Sequence, residues 1–330
     1  MKWQDAEAAI GRNLDDDYRL DLQSHEERYR DIAPQLTALF ATATSRSAVM
    51  SYTRFDGAAL EAQHSYRRAM ALTNFGALLT SIFGAAAMAW TILGTSLPVF
   101  ERLSFGATLL SIAAALTAAS GAAGLYWLRH GRLLEGWMGK RAEAETHRVH
   151  YFEDILARAA EASTDTALLA LEYFRRYHFD VQRSYYFHRA RAHEKSAGVT
   201  LAVGAAGAFL ATLSSFVSIG ADGAMQAISA VGICGAAIGA YAIGREQMTQ
   251  DRRNAERYFR TYSALEAITT KLDAVRLSVE TGTPEAARAF ATAVNEQVSN
   301  EHRQWLEGQK VANEALTRIE RALQPSAGKN

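Results

Sequence analysis

The sequence predicts an all-α membrane protein: four transmembrane helices in two tandem helical hairpins, extended into a cytoplasmic helical stalk. Three observations carry that expectation. First, Ala69–Phe100, Leu103–Leu128, Ser196–Ala221 and Gly223–Gly244 contain no Asp, Glu, Lys or Arg, and about 20 helical residues suffice to cross a bilayer core. Second, of the 35 Lys and Arg residues, all but Arg102 lie before the first stretch, between the second and third, or after the fourth. Third, the four prolines (Pro34, Pro98, Pro284 and Pro325) lie in turns or outside the expected spans.

Residues 1–160 form the first expected unit, with spans at about 71–94 and 105–128. The N-terminus is polar and lacks a signal-peptide core, so the first span itself is expected to drive insertion. Gly94–Ser104, containing Pro98, joins the two spans, and the second is expected to run on through Trp137 and Arg141 toward Ala160. Residues 161–282 form the second unit, with spans at about 197–219 and 224–244. Ser163-Thr164-Asp165 reads as a helix start, and no breaker follows before Gly220; a helix of about 55 residues is roughly 80 Å long. Gly220–Gly223 joins this pair of spans, and the fourth is expected to continue through Arg253 and Tyr262 to Gly282-Thr283-Pro284.

Residues 283–330 form a C-terminal cytoplasmic helix and tail, opened by Thr283-Pro284. Phe290, Val294, Val298, Trp305, Ala312, Leu316, Ile319 and Leu323 give that helix one narrow apolar face. The face suits packing on the stalk of its own or a neighbouring subunit, or docking of another protein. The distribution of Lys and Arg is the positive-inside pattern, which places both termini and the central segment in the cytoplasm.

The chain repeats itself. Gln63-His64-Ser65-Tyr66 precedes the first hairpin and Gln182-Arg183-Ser184-Tyr185 the second; Ala144-Glu145 with Tyr151 follows the first and Ala255-Glu256 with Tyr262 the second. Two copies of a helix–span–span–helix unit account for this. Each copy holds two spans, so both insert in the same orientation, as a parallel repeat.

The spans carry no charge, which argues against an ion-coupled pump. They do carry faces of small residues: Thr73, Ala77, Thr80, Gly84, Ala87 and Thr91 in the first; Ser120 and Gly124 in the second; Thr200, Gly204, Gly207, Ala211, Ser214 and Ser218 in the third; Gly235 and Gly239 in the fourth. Small residues let helix backbones approach closely. In an oligomer, one such hydroxylated face would line a narrow path of little charge selectivity. Both readings remain open. Arg67-Arg68, Arg129 to Arg132, Arg189 to Lys195 and Arg252-Arg253 crowd the span ends; topology and lipid headgroups account for them, with an anion site as the alternative.

Equal numbers of basic and acidic residues, 35 each, give no general attraction to nucleic acid. The single Cys234 allows no intrachain disulfide. No phosphate-binding loop, paired-histidine zinc helix motif or nucleophile elbow is present. His147 and His150 beside Glu153 and Asp154 read as polar helix surface or as an incomplete metal pair. No catalytic residue, metal or cofactor is assigned, and the chain is not expected to be an enzyme.

The repeated unit resembles the SLATT domain, the two-transmembrane effector domain that associates with SMODS and SLOG domains in bacterial conflict systems. The resemblance rests on the Tyr173–Lys195 run, above all Gln182-Arg183-Ser184-Tyr185-Tyr186. It rests also on the Ala-Glu-x5-Tyr segments after each hairpin, and on Asn300-Glu301 with Trp305. The first copy resembles the divergent N-terminal version through Gln63–Tyr66, so the tandem covers roughly residues 1–310. The resemblance implies an effector that oligomerises into pores and permeabilises the bacterial inner membrane in phage defence or another self-limiting response. It implies no catalytic residues. Its partners would be further copies of itself, the lipid bilayer and a separately encoded sensor or signal-producing protein. The alternative is a non-conducting membrane scaffold whose stalk recruits a partner.

Overall fold

The computed structural model describes residues 1–14, 17–96, 105–218, 228–300 and 303. Among these, every regular element is helical. The helices are α1 (Trp3–Ile10), α2 (Leu22–Tyr29), α3 (Pro34–Phe40), α4 (Ala43–Ser96), α5 (Phe105–His130), α6 (Leu133–Ala162), α7 (Thr164–Phe174), a π-helical turn (Arg175–Phe179), α8 (Asp180–Ser218), α9 (Ile228–Thr249), α10 (Asp251–Thr269) and α11 (Leu272–Glu280). A last helix, α12, runs from 285 to 300. Four helical segments are long and apolar enough to cross a membrane: Ala43–Gly94, Phe105–His130, Thr164–Val217 and Ile228–Thr269. The all-α, two-hairpin fold class holds. The expected turns at 97–104 and 219–227 lie outside the described residues.

The chain divides into two compact units, each assembled from separated segments. The first takes Met1–Arg54, Ala142–Ala190 and Glu256–Asn330; the second takes Phe55–Arg141 and Arg191–Ala255. Both units therefore draw on both expected repeats.

At the centre of the first unit is α7. Its sequence, Thr-Asp-Thr-Ala-Leu-Leu-Ala-Leu-Glu-Tyr-Phe, has no continuous polar face, and every residue from Thr166 to Phe174 is buried. A helix that is apolar all round belongs inside a core. Ser163 caps it, its hydroxyl accepting from the Thr166 amide at 3.1 Å, as the sequence anticipates. Helices α1, α3 and α11 pack directly on α7. From α6 comes the stripe Ala144, Arg148, Tyr151, Phe152, Ile155, Leu156 and Ala159, the three- and four-residue spacing of one buried face. Each fully buried Leu or Phe in such a core contributes roughly 1.5–3 kcal/mol.

From α12, Ala287, Phe290, Ala291, Val294 and Val298 are buried. Phe290 meets Phe174 and Phe179 edge-on at 6.2 and 5.3 Å. The apolar face of the last helix thus packs within its own chain as far as Val298. Trp305, Ala312, Leu316, Ile319 and Leu323 lie outside the described residues.

The long helix expected from Ser163 is observed: α7, the π turn and α8 run without a gap from Thr164 to Ser218. Two other continuous helices are corrected. The second span's helix ends at His130, and Arg132 takes a left-handed backbone (φ 44°) before α6 begins. The fourth span's helix ends at Thr249, Gln250 takes φ 49°, and α10 gives way to α11 after Thr269. Gln250 has no glycine or proline beside it, so breaker counting passes over it, whereas Arg132 follows Gly131, which the expected continuous helix ran through.

Candidate functional site

In the second unit, each hairpin closes through glycine. In the first hairpin, a β-carbon added to Gly76 would stand 2.5 Å from Gly121 Cα, and one added to Gly124 would stand 2.8 Å from both the Thr73 amide nitrogen and its Oγ1. Those distances leave no room for a side chain, so the backbones of α4 and α5 touch. Thr80 crosses the same seam, sharing a 3.1 Å hydrogen bond with Thr117 Oγ1 while donating to its own helix at Gly76 O over 2.7 Å. Thr73 Oγ1 donates to Ala69 O at 3.0 Å.

In the second hairpin, a β-carbon on Gly207 would meet Gly235 O and Gly239 N at 2.7 Å, and one on Gly235 would meet Ala211 N at 2.6 Å. Gly204 faces Ala242 and Gly232 faces Ser214, while the Ser214 hydroxyl donates to Ile228 O. Thr200 is buried, its hydroxyl donating back to Ser196 O at 2.9 Å. Phe75 and Tyr241 pack at 5.7 Å between ring centres, and Asn74 lies beside Gly244, so α4 meets α9.

These contacts sort the candidate residues. Thr200, Gly204, Gly207, Ser214 and Gly235 lie in the second hairpin's seam, and Gly239 lends it backbone while its own β-carbon direction meets nothing within 4 Å. Nothing is described of the Ser218 side chain. The first-span face divides: Thr73 and Thr80 belong to the seam and Ala87 is buried, whereas Ala77, Gly84 and Thr91 are exposed. The seam runs Ala69, Thr73, Gly76, Thr80, one register away from the face read in the sequence. Gly76, its tightest contact, was missed because two overlapping heptads share Thr73 and Thr80. Gly124 is in the seam, while Ser120 is exposed.

The repeat motif positions are aromatic contacts between a hairpin's entering and returning helices. Tyr66 stacks on Trp137 at 5.7 Å, and Tyr185 and Tyr186 both pack on Tyr258, at 6.4 and 5.7 Å. Gln182 is buried and donates to Glu145 at 3.4 Å, which joins one expected copy to the other within the first unit. Tyr151 is fully buried and shares a 2.8 Å hydrogen bond with Tyr173. Tyr262 is half-buried against Phe187, so the two Ala-Glu-x5-Tyr tyrosines occupy unlike surroundings. Gln63 is half-buried, and Glu256 is exposed, 3.8 Å from Arg260.

In the first unit, a buried polar centre surrounds the π turn, and sequence reading did not find it. The turn's wider winding frees carbonyl oxygens: Tyr177 O accepts from Arg148 Nη2 at 2.6 Å, and Arg176 O from Asn13 Nδ2 at 3.2 Å. Arg148 also donates to His178 Nδ1 at 3.3 Å and to Tyr52 OH at 3.2 Å. An arginine only donates, so the His178 proton sits on Nε2, which donates to Asn295 Oδ1 at 3.0 Å. Burial, followed by the Arg148 charge, pushes His178 down to about 3.

Beside it, Glu172 is fully buried between Arg175 at 2.5 Å and Arg276 at 2.7 and 3.0 Å. Arg176 grips Asp17 with two nitrogens, at 2.7 and 3.2 Å. Buried charges survive only when paired and hydrogen-bonded, and these are. The one available signal was the run Arg175-Arg176-Tyr177-His178-Phe179, set without a break behind an apolar helix.

No curated protein and no solved structure matches the chain. A family model does: SMODS and SLOG-associating 2TM effector domain 1 matches residues 175–305. The match begins at the π turn and takes in α8, the second hairpin, α10 and α11. With two membrane-capable helices in that segment, residues 175–305 form a SLATT domain, the two-transmembrane effector domain that associates with SMODS and SLOG domains.

Proposed function

We propose that this protein is a pore-forming effector: several copies assemble in the bacterial inner membrane, with both termini in the cytoplasm, and depolarise the cell when triggered. It performs no catalysis. A separately encoded sensor supplies the signal, acting on the first unit. The first hairpin serves as a divergent second SLATT copy; its glycine seam, its left-handed exit and the stacking of Tyr66 on a returning aromatic all have counterparts in the second hairpin.

The observation that carries this reading is the uncovered half of the first span's small-residue face. Ala77, Gly84 and Thr91 recur every seven residues and stay exposed in the single chain. Within each hairpin the spans touch backbone to backbone, so a conducting path would run between copies, where such a face brings hydroxyls and little bulk.

The test is membrane potential, read with a voltage-sensitive dye in cells expressing the protein together with its neighbouring gene products. Wild type should depolarise, and Gly84→Leu should not. A β-carbon at Gly84 meets nothing within 4 Å, so the variant spares the fold of the single chain. Thr80→Leu is a poorer probe because Thr80 is in the seam. Full potential in every condition, with the protein inserted, would overturn the pore and favour the scaffold.

A further inference from the structure

Within the second unit, four exposed cations stand at one level with no acidic partner among the described residues. Arg67 and Arg68 lie just before Ala69, where the first seam begins; Lys195 precedes Ser196; Arg253 follows Asp251 by two residues. The contacts fix their heights. Asn74 is beside Gly244; at 1.5 Å per residue, Arg67 lies about 10 Å along its helix from that contact, and the antiparallel α9 runs about 8 Å from it toward the same side before ending at Thr249, just ahead of Asp251 and Arg253. Ser196 Oγ donates to Asp251 Oδ2 at 2.5 Å, which sets Lys195 and Arg253 at the same level.

All four are exposed, and among the described residues none has an acidic partner. The unit's acids are mostly engaged: Asp56 by Arg141 at 2.7 Å, Glu135 by Arg132, Glu194 by Arg191 at 3.3 Å, Glu246 by the Arg252 amide at 3.0 Å, and Asp251 by His193 at 2.6 Å. Among the described residues of the unit, Glu61, six residues before Arg67, is the acid left over.

We infer that Arg67, Arg68, Lys195 and Arg253 form a belt that binds the headgroups of anionic phospholipids. The belt sits where charge-free helix meets polar helix, the depth of a lipid phosphate, and each juxtamembrane cation adds to the attraction of an anionic leaflet. A soluble protein partner would need carboxylates at that depth, where lipid headgroups already crowd. The inference rests on the membrane reading of the spans and is independent of the pore.

The test places the full chain in bilayers mixing phosphatidylglycerol and phosphatidylcholine, with bromine on the acyl chains of one lipid or the other. Brominated chains quench tryptophan, and Trp127 lies exposed near the end of the second span. Wild type should be quenched several-fold more by brominated phosphatidylglycerol than its mole fraction gives. The preference should fall to unity in the R67Q/R68Q/K195Q/R253Q variant, with helicity and quenching by brominated phosphatidylcholine unchanged. It should also weaken with salt.

No preference in wild type, or a preference kept by the variant, overturns the belt. Loss of preference on adding inorganic phosphate, but not chloride of equal ionic strength, also overturns it, because the site would then be one for a soluble anion. Absence of quenching by either lipid would instead count against insertion of the chain, a separate failure.

Discussion

Gly76 and Gly84 are two turns apart on α4 and answer to different neighbours. A methyl group on Gly76 would enter the backbone of Gly121 at 2.5 Å, whereas one on Gly84 would meet nothing within 4 Å. Ala is the better helix former by about 0.5–1 kcal/mol, so the two substitutions should move stability in opposite directions. Gly84→Ala should raise the melting temperature of the detergent-solubilised protein slightly. Gly76→Ala should lower it, since the two helices must part to admit the methyl and lose their close packing. Thermal unfolding followed by circular dichroism decides this, and shifts of the same sign would refute the seam register.

The two hairpins leave the span region by the same device, a single non-glycine residue in the left-handed region. Arg132 ends the first hairpin's exit and Gln250 the second's. From Arg132 to Ala144-Glu145 is twelve residues; from Gln250 to Ala255-Glu256 is five. The difference of seven is two helical turns, which restores nearly the same helix face, so the copies keep phase while differing in length. A side chain at φ near +50° costs roughly 1 kcal/mol relative to glycine. Gln250→Gly should therefore stabilise the protein by up to about 1 kcal/mol, raising the melting temperature; a decrease would mean that the Gln250 side chain holds the break in place.

Much of this level was legible in the sequence. Charge-free length located the spans, Ser163 located the start of α7, and the Gln-x-Ser-Tyr and Ala-Glu motifs located aromatic contacts. The break at Gln250 was not, because tertiary contacts of His193 and Ser196 with Asp251 hold it and no glycine or proline stands beside it; the break at Arg132 follows Gly131, a glycine the span reading passed over. Nor were the short helices α1 to α3, whose apolar residues acquire a common face only when folded around α7. The π turn escaped for the same reason: its freed carbonyls are satisfied by Arg148 and Asn13, both distant in sequence.

At the scale of the molecule, the two units rest on different physics, and acid should separate them. The second holds its hairpins by glycine contacts that bind no protons. The first buries two histidines in neutral form. His178 is held at about 3 by burial and by Arg148, with Glu145 and Asn295 opposing. His25 is held at about 4 by burial and then Arg28, against Asp17 and Asp21, with its Nδ1 2.7 Å from Tyr173 OH. Both lie below the 6.5 of an unfolded histidine, so as pH falls the unfolded chain takes up protons first. The stability these groups confer is complete above about pH 6.5 and is lost progressively toward pH 4 and 3. At pH 5 each histidine forfeits about 2 kcal/mol, a melting-temperature loss of roughly 10 °C for the pair. Asp180, raised chiefly by burial, works in the opposite sense and offsets part of this loss. Near-ultraviolet circular dichroism, which sees the packed tyrosines, should therefore show unfolding moving to lower temperature between pH 7.5 and 5, while far-ultraviolet helicity from the spans persists. His178→Asn should remove about half of that pH dependence. A melting temperature that stays flat over this range would show that neither histidine is buried neutral, and the polar centre drawn around the π turn would fall with it.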